Sequence, residues 1–355
     1  MGWHNTDMDI RTIDWKNGKI KIVDQTRLPR ALVYLEIGNL KELWRAIREL
    51  KVRGAPALGA AAALGVYLGI KDYPGSSRKG LARCLKKTAD YLKTSRPTAR
   101  NLFGGIERIE QAAARAKDIT VPEIKKELFK EALRIIEDDR AACRAIGRYG
   151  AALIKNKSRV LTICNAGILA TIDYGTALGV IYAAKEKGRE VKVFASETRP
   201  LLQGARLSTW ELYRKGVDVT LIADNTAAKL MADGEIDMVI AGADRIALNG
   251  DTANKVGTAN LAIAAAYHKV PFYIASPKTT FDLSIKDGSG IRIEMRPEDE
   301  VRGIFPGTAA APRKVKVLNP AFDITPHRLI RGIITDYGIV RPPYRDNIAG
   351  VLGKG

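Results

Sequence analysis

The spacing of apolar residues divides the first half of the chain into a short β-rich stretch and a longer helical stretch. Ile10–Trp15 and Lys19–Val23 flank Asn17-Gly18, a dipeptide typical of two-residue hairpin turns, so residues 10–36 are predicted to form a small antiparallel meander. From residue 39 to about residue 156, apolar residues recur with the period of an amphipathic helix. The predicted helices are Leu40–Leu50, Pro56–Lys71, Leu81–Thr94, Ala99–Ala116 and Pro122–Lys155.

Beyond Lys157 the pattern changes to short β-branched runs that alternate with amphipathic stretches. The predicted strands are Arg159–Ile163, Val191–Ala195, Val217–Ile222, Met238–Ala241 and Pro271–Ala275, and the predicted helices include Ile168–Lys187, Leu201–Lys215 and Asn260–Lys269. Continuous apolar strands separated by helices indicate βαβ units and a parallel sheet. We therefore predict an α/β protein with two domains: a small β-meander plus helices over residues 1–145, and a parallel-sheet domain over residues 146–355.

Polar residues follow every predicted strand. Because the crossovers of a parallel sheet are right-handed, all the strands end on one side, and ligands bind beyond those carboxyl ends. The segments expected there are Cys164-Asn165, Ser196-Glu197-Thr198-Arg199, Asp224-Asn225, Asp244-Arg245 and Ser276-Pro277-Lys278. The sequence thus predicts a site at this edge of the sheet that contains a thiol and carboxylates.

Two of these strand-end residues are candidates for catalysis. Asn165-Ala166-Gly167 is expected to open a helix, whose N-terminus lowers the pKa of the Cys164 thiol and favours the thiolate. A cysteine that ends an apolar strand is also commonly a small core residue. Asp244 follows an apolar run, and desolvation at the floor of a cleft would raise its pKa and suit it to general acid catalysis. A turn or cap aspartate is the ordinary alternative.

Three predicted helix starts have the composition of phosphate-binding sites. Asn254–Thr258 places Lys255 and free backbone amides before an alanine-rich helix, and amides at a helix N-terminus bind anions. Arg53-Gly54-Ala55-Pro56 and Ser95-Arg96-Pro97-Thr98 each place an arginine at a helix boundary. Each segment is equally compatible with an ordinary cap beside a solvated side chain.

Composition narrows the class of protein. The 355 residues carry 58 Lys and Arg against 39 Asp and Glu, a net charge of +19, and 46% are apolar, which fits a packed globular protein of two domains. Residues 51–100 hold 11 of these cations against 2 carboxylates, without interleaved aromatic residues. The positive charge therefore favours nucleic-acid binding, but the sequence contains no nucleic-acid-binding motif.

Other classes lose support because their motifs are missing. Three scattered cysteines indicate a reducing cytoplasm rather than a disulfide framework, and three distant histidines give no metal-binding spacing. The start of the chain has no signal-peptide pattern, and Gly54–Ile70 is too short to span a membrane, so we interpret it as a core helix. The dinucleotide, P-loop and nucleophile-elbow fingerprints are also absent.

A series of longer segments, taken in order, carries a family resemblance over nearly the whole chain. The segments are Asp24-Gln25, Leu28-Pro29, Val52–Ala57, Arg96–Ala99, Asn101-Leu102, Cys164–Gly167, Glu197–Pro200, Gln203–Arg206, Gly242–Ile246, Asn249–Asp251, Asn254–Thr258 and Asn319–Asp323. Together they resemble the methylthioribose-1-phosphate isomerase family, which is related to the regulatory subunits of the translation factor eIF2B.

The resemblance implies a fold, an activity and site residues. It implies a Rossmann-like C-terminal domain through which a homodimer forms, and isomerisation of 5-methylthioribose 1-phosphate to 5-methylthioribulose 1-phosphate in methionine salvage, with no metal or organic cofactor. It places the catalytic cysteine at Cys164 and the catalytic aspartate at Asp244. It places substrate contacts at Arg53, Gly54, Ala55, Arg96, Gln203, Asn254 and Lys255. Nucleic acid and membranes are not expected partners.

Departures from the family pattern keep alternatives open. Ile163 precedes the thiol where many relatives have a polar residue, Arg100 adds a cation, and Met295 interrupts a charged run. These differences leave open 5-deoxyribose 1-phosphate or ribose 1,5-bisphosphate as substrate. The alternative from another class of protein is a non-catalytic, eIF2B-like regulatory subunit. The retention of both Cys164 and Asp244 argues against this alternative.

Overall fold

The computed structural model describes residues 10–116, 119–305 and 308–352, which form two compact units. The helical unit contains the described residues up to Cys143 together with Ile168–Gly175. The sheet unit contains Arg144–Gly167 and the described residues from Thr176 onwards. The sequence-based division at residue 145 falls close to the first of these boundaries, but it did not anticipate that Ile168–Gly175 belongs with the helical unit.

The helical unit begins with the predicted meander. Its antiparallel strands are β1 (Ile13–Lys16), β2 (Lys19–Val23) and β3 (Tyr34–Ile37). Asn17 and Gly18 have φ angles of 52° and 75°, the pair of positive values that a two-residue type I′ turn requires. The hairpin prediction is therefore confirmed.

Five helices complete the described part of this unit. They are α1 (Leu40–Arg48), α2 (Ala55–Ile70), α3 (Arg78–Lys93), α4 (Arg100–Arg115) and α5 (Val121–Ala151), the last of which continues into the sheet unit. Most residues of α2 are buried, and its alanines and glycines let α3 and α4 pack closely around it. Within the described residues, no helix is long and apolar enough to cross a membrane. The apolar stretch is thus a core helix, as predicted.

The sheet unit is built on a seven-stranded sheet in the order β16-β15-β10-β7-β4-β5-β6. These strands are β4 (Ser158–Thr162), β5 (Val191–Ser196), β6 (Asp218–Ile222), β7 (Met238–Ala241), β10 (Phe272–Ala275), β15 (Gly332–Thr335) and β16 (Gly338–Val340). Every pairing is parallel except that of β15 with β16. The helices of the unit are α6 (Ala177–Glu186), α7 (Thr209–Arg214), α8 (Ala227–Ala232), α9 (Thr258–Tyr267), α10 (Asp299–Arg302) and α11 (Tyr344–Leu352). The predicted fold class is confirmed.

A smaller sheet was not predicted from the sequence. Its order is β11-β8-β9-β14, formed by β8 (Arg245–Ala247), β9 (Thr252–Lys255), β11 (Phe281–Asp282) and β14 (Phe322–Thr325); the hairpin of β12 (Gly303–Phe305) and β13 (Thr308–Ala309) lies outside it. These strands are only two to four residues long, too short for a periodic signal. As a result Asn254 and Lys255 lie on a strand rather than in a loop.

Two predicted helices differ from the structure. Ile168–Lys187 was expected to be continuous, but Ile168–Ala170 forms a single 3-10 turn and α6 begins only at Ala177. Leu201–Lys215 is likewise split, because Gly204–Ser208 is π-helical and leads into α7. Both deviations occur immediately beside the strand ends that were expected to form the site.

Candidate active site

The turns that carry Cys164 and Asp244 lie side by side at the carboxyl ends of neighbouring strands. The chain leaves β4 towards β5 and β6 on one side and later returns to β7 on the other side, so β4 and β7 flank the topological switch point. A Cβ on Gly242 would come within 2.8 Å of the Cβ of Ala166, so the turns after the two strands are in contact. Open α/β sheets bind ligands at this location.

The Cys164 turn is held by hydrogen bonds on both sides of the residue. Cys164 has a φ of 62°, a left-handed conformation that costs about 1–3 kcal/mol for a residue other than glycine. Its backbone N–H donates to Oγ1 of Thr198 at 2.8 Å, and its carbonyl accepts from Oγ of Ser208 at 2.7 Å. This residue is partly exposed, and its sulfur forms no disulfide bond.

The predicted helix N-terminus at Cys164 is wrong. The turn after β4 leads into the 3-10 turn at Ile168–Ala170, and the next α-helix begins at Ala177. The positive φ of Cys164 turns the chain away from a helical path, and Ile168–Gly175 then packs within the helical unit. The helix dipole therefore does not explain any activation of this thiol. Hydrogen bonds fix its backbone instead.

The turn after β5 supports the Cys164 turn. Thr198 is fully buried with a φ of 68°, and its hydroxyl donates to the carbonyl of Ser196 at 2.9 Å. Asp224, which follows β6, accepts hydrogen bonds from the backbone N–H groups of Thr198 and Arg199, both at 2.7 Å. The predicted strand-end segments after β4, β5 and β6 are thus joined by hydrogen bonds at one edge of the sheet.

Asp244, Asn254 and Lys255 lie together on the β8–β9 hairpin. The N–H of Asp244 donates to the carbonyl of Ala253 at 2.9 Å, which places Asp244 across from Asn254. Asn254 is buried and its Nδ2 donates to Oγ1 of Thr258 at 2.9 Å. Lys255 is also buried, with its Nζ 5.1 Å from the ring centroid of Phe322. Asp244 itself is half-buried.

The start of α9 already holds a carboxylate of the chain itself. Asp323 accepts from the N–H of Gly257 at 2.7 Å and from the N–H of Ala259 at 3.1 Å. Burial raises the pKa of Asp323, while these two bonds act in the opposite direction. Asp323 therefore binds one backbone amide of the Asn254–Thr258 segment that the sequence assigned to a phosphate, that of Gly257, and the amide of Ala259 just beyond it. Asn254 and Lys255 stay the candidates at this end of the helix.

Gln203 has a buried acceptor without a partner in the described part of the chain. Its side chain is 6% exposed and lies one residue before the π-helical segment, and its Oε1 accepts no hydrogen bond there. Buried polar atoms of native proteins are nearly always paired, so an unpaired one at a strand-end site is suited to a ligand donor. A sugar hydroxyl is such a donor.

Arg53 and Gly54 stand at the start of α2 in the helical unit, directly before Ala55. Gly54 has a φ of 93°, and a Cβ there would lie 2.4 Å from the Cα of Ala170, so only glycine fits. Arg53 is 8% exposed, and its Nε donates to Oε1 of Gln25 at 2.9 Å. Nε2 of Gln25 in turn donates to the carbonyl of Leu169 at 2.7 Å. Gln25 thus orients Arg53, a role that no local sequence pattern revealed.

Arg96 lies in the turn before α4 in the same unit. Its carbonyl accepts from the N–H of Ala99 at 3.1 Å, and α4 begins at Arg100. Asn101 packs against Gly59 in the second turn of α2, so α4 starts near the beginning of α2. The extra cation Arg100 binds the carboxylate of Glu107 at 2.9 Å.

The described residues contain no group of histidine, cysteine, aspartate and glutamate side chains that could hold a metal ion. The groups that the structure places at the switch point are a thiol, a carboxylate and the polar side chains around them. This combination suits proton transfer on a small polar molecule.

A doubly wound sheet with a thiol and a carboxylate at its switch point defines the class of α/β proteins whose ligand lies beyond the strand ends. Within that class, the chain belongs to the initiation factor 2 subunit family, whose model matches residues 51–342. The resemblance described from the sequence is confirmed.

Two curated relatives match almost end to end. The 5-deoxyribose 1-phosphate isomerase of Moorella thermoacetica is 52% identical over 345 residues, covering 97% of this chain and 97% of the relative. The methylthioribose-1-phosphate isomerase of Geotalea uraniireducens is 50% identical over 347 residues, covering 98% of this chain and all of the relative (100%).

Two solved structures are similar over the same length. The 5-methylthioribose 1-phosphate isomerase of Pyrococcus horikoshii OT3 has a TM-score of 0.90 and 39% identity, with 98% of this chain and 97% of that chain covered. A chain described as translation initiation factor eIF-2B, subunit delta, from A. fulgidus has a TM-score of 0.85 and 46% identity. The match covers 97% of this chain and 99% of that chain.

Proposed function

We propose that the protein is an aldose–ketose isomerase that converts 5-methylthioribose 1-phosphate to 5-methylthioribulose 1-phosphate in methionine salvage, without a metal or organic cofactor. The observation that carries this proposal is the contact between the Cys164 turn and the Asp244 turn at the switch point of the sheet. The names of the relatives from Geotalea uraniireducens and Pyrococcus horikoshii support it.

The chemistry of the substrate explains why a thiol and a carboxylate suit this reaction. A phosphate on the anomeric oxygen locks the sugar as a ring, so the ring oxygen must be protonated when its bond to C1 breaks. Asp244 supplies that proton in our proposal, Cys164 assists the transfer of hydrogen from C2 to C1, and the C2 hydroxyl returns a proton to Asp244 as the ketone forms. Gln203, Asn254 and Lys255 contact the sugar phosphate.

Two arginines of the helical unit are the proposed phosphate ligands. Arg53 is presented at the start of α2 beside Gly54 and Ala55, and Arg96 in the turn before α4. A guanidinium group binds phosphate through two parallel hydrogen bonds and keeps its charge at every working pH. Firm binding prevents the phosphate from leaving when the ring opens.

The decisive experiment is an assay of ketose formation from methylthioribose 1-phosphate with four variants. Cys164→Ser and Asp244→Asn are expected to lower kcat by at least about 100-fold, the usual contribution of a positioned acid or base. Cys84→Ser is the matched thiol control, because Cys84 is also partly exposed and forms no disulfide bond, and Asp237→Asn is the carboxylate control. Activity that survives both catalytic substitutions refutes the site assignment.

The same assay in deuterated water decides how hydrogen moves. Transfer as a proton through Cys164 incorporates solvent deuterium at C1 of the product. Complete absence of solvent deuterium at C1 contradicts the proton route and favours transfer as hydride.

5-Deoxyribose 1-phosphate is the second candidate substrate, supported by the name of the Moorella thermoacetica relative. It lacks only the methylthio group, and a small apolar group in a pocket adds about 1–3 kcal/mol of discrimination. We expect activity on both sugars, with kcat/KM higher for the methylthio sugar. A reversed order in a direct competition assay would make the deoxy sugar the main substrate.

The A. fulgidus chain described as a translation factor subunit supports a non-catalytic regulatory subunit as a further alternative. Such a protein has no chemical need for both Cys164 and Asp244. Absence of turnover on every sugar 1-phosphate, combined with stable association with a translation factor, would favour this alternative.

We also propose that the protein acts in the cytoplasm as a homodimer without nucleic acid. The family resemblance supports the dimer, and the basic residues lack a nucleic-acid motif. Light scattering during size-exclusion chromatography tests the dimer. A salt titration of DNA and RNA binding tests whether the protein binds nucleic acid, because contacts with nucleic-acid phosphates produce a steep salt dependence.

A further inference from the structure

A buried carboxylate lies beneath the Cys164 turn and has no part in the proposed chemistry. Glu211 on α7 is 2% exposed. Its Oε1 accepts from Nδ2 of Asn165 at 2.8 Å, and its Oε2 accepts from the hydroxyl of Tyr182 at 3.1 Å. Burying a carboxylate is costly unless it is well hydrogen-bonded, so its place beside the candidate catalytic thiol calls for a specific role.

Hydrogen bonds connect Glu211 to the backbone of Cys164. Nδ2 of Asn165 lies 3.2 Å from Oγ of Ser208, and that hydroxyl donates to the carbonyl of Cys164 at 2.7 Å. Asn165 is 4% exposed and Ser208 is 1% exposed, so the network is shielded from water. The orientation of the Cys164 carbonyl therefore depends on Ser208, which is oriented through Asn165 by Glu211.

Glu211 also contacts the far end of the same turn. A Cβ on Gly167 would lie only 2.1 Å from Oε2 of Glu211, so the carboxylate packs directly against the Gly167 backbone. One side chain thus contacts two positions on either side of Ala166. It supports the whole turn from Cys164 to Gly167.

Ser208 ends the π-helical segment Gly204–Ser208, which passes directly into α7, where Glu211 lies. Ser208 and Glu211 are three residues apart, so they project from neighbouring positions on one helix face. Both side chains consequently reach the Cys164 turn.

We propose that Glu211 is a positioning residue that holds Cys164 in its left-handed backbone conformation. Thr198 fixes the N–H of Cys164, while Glu211 fixes the carbonyl side through Asn165 and Ser208. A strained turn persists only when surrounding contacts over-determine it. Only the kinetic part of this inference rests on the proposed function.

The test combines hydrogen exchange with kinetics on the full-length chain. In Glu211→Leu, amide exchange in a peptide spanning residues 159–167 is expected to accelerate roughly tenfold or more, because the turn opens more often. We expect kcat to fall roughly tenfold or more while KM changes less than about twofold, because the phosphate contacts are untouched. Glu211→Gln keeps an acceptor for Asn165 and a partner for the Tyr182 hydroxyl, so it should restore both properties.

A matched control separates positioning from general destabilisation. Glu131 is also a buried carboxylate, 5% exposed, and it pairs with Arg108 and Arg134 in the helical unit. Glu131→Leu should destabilise the protein without a selective change in the 159–167 peptide. The proposal is overturned if Glu131→Leu and Glu211→Leu accelerate amide exchange in that peptide equally. It is also overturned if the exchange rate of the peptide in Glu211→Leu equals that of the wild-type protein.

The proposal is still testable if Glu211→Leu does not fold. The same measurements are then made on Ser208→Ala, which removes the hydroxyl donor to the Cys164 carbonyl and leaves the Glu211 carboxylate in place. Wild-type exchange and kcat in Ser208→Ala would then reject the network. If the wild-type protein lacks isomerase activity, the proposed function fails, while the exchange results still support or reject the positioning role.

Discussion

The backbone N–H of Cys164 donates a 2.8 Å hydrogen bond to Oγ1 of Thr198, and both residues have left-handed backbone conformations, with φ angles of 62° and 68°. The turns after β4 and β5 therefore support each other, and neither conformation is the ordinary preference of its residue. Because the hydroxyl of Thr198 is fully buried, water does not replace it as an acceptor.

Thr198→Val is expected to lower the free energy of unfolding by about 1–3 kcal/mol, because it leaves the Cys164 N–H without its acceptor. Valine keeps the shape and β-branching of threonine, so packing changes little. Thr198→Ser keeps the hydroxyl and should lose less stability. Urea unfolding of both variants measures the difference, and equal stability would show that the hydrogen bond contributes nothing.

Gln25→Leu is expected to raise the KM for the sugar phosphate by about tenfold, because Arg53 loses the acceptor that orients its guanidinium group. The control is Thr12→Val, since Thr12 is buried and its hydroxyl donates to the carbonyl of Ile168 in the same segment that Gln25 contacts. Steady-state kinetics and phosphate binding by calorimetry measure both variants. A similar rise in KM for Thr12→Val would mean that the segment matters rather than Arg53.

The strand-end location of Cys164 and Asp244 was predictable because it depends on local patterns. Apolar runs such as Met238–Ala241 identify the buried parallel strands, and the polar residue that follows each run must lie at the carboxyl edge. Helices with a strong amphipathic period, such as α1, were likewise predicted to within two or three residues of their observed ends. The prediction of a helix directly after Cys164 was wrong. The positive φ of Cys164 depends on hydrogen bonds with Thr198 and Ser208, which lie far away in the sequence.

The residues that support the site escaped prediction for a related reason. Gln25 is 144 residues from its partner Leu169, Glu211 is 46 residues from Asn165, and Asp323 is 66 residues from Gly257. Nothing in the neighbouring sequence distinguishes these side chains from ordinary polar residues. Only the family resemblance pointed to the segments that contain Gln25 and Asp323, and it assigned them no role.

Asp139→Asn is expected to stabilise the protein above pH 7. The pKa of Asp139 is raised from 3.8 to about 7, mainly by burial; nearby Asp173 also raises it, whereas the hydrogen bond from the Ile172 N–H, Cys143 and Arg140 lower it. Between about pH 4 and 7 the unfolded carboxyl ionises while the folded one keeps its proton, so stability falls as the pH rises. Asparagine removes this decline. Urea unfolding at several pH values measures it, and an unchanged decline in the variant would contradict the assignment.

Asp251→Asn is expected to remove stability that the wild-type protein has at neutral pH and loses in acid. Burial alone would raise the pKa of Asp251, but hydrogen bonds from the backbone of His327, from Asn249 and from Gly288 lower it from 3.8 to about 2. The ionised form is therefore favoured by folding, so its contribution is complete above about pH 4 and is lost as the pH falls towards 2. The shift corresponds to about 2 kcal/mol for this largely buried side chain.

Asp287→Asn is the control for this prediction, because Asp287 is exposed and its pKa is lowered mainly by Ser289. Denaturant unfolding between pH 2 and 7 should show a smaller loss of stability in acid for Asp251→Asn than for Asp287→Asn, and a loss in Asp251→Asn equal to that of the wild-type protein would contradict the role of this carboxylate.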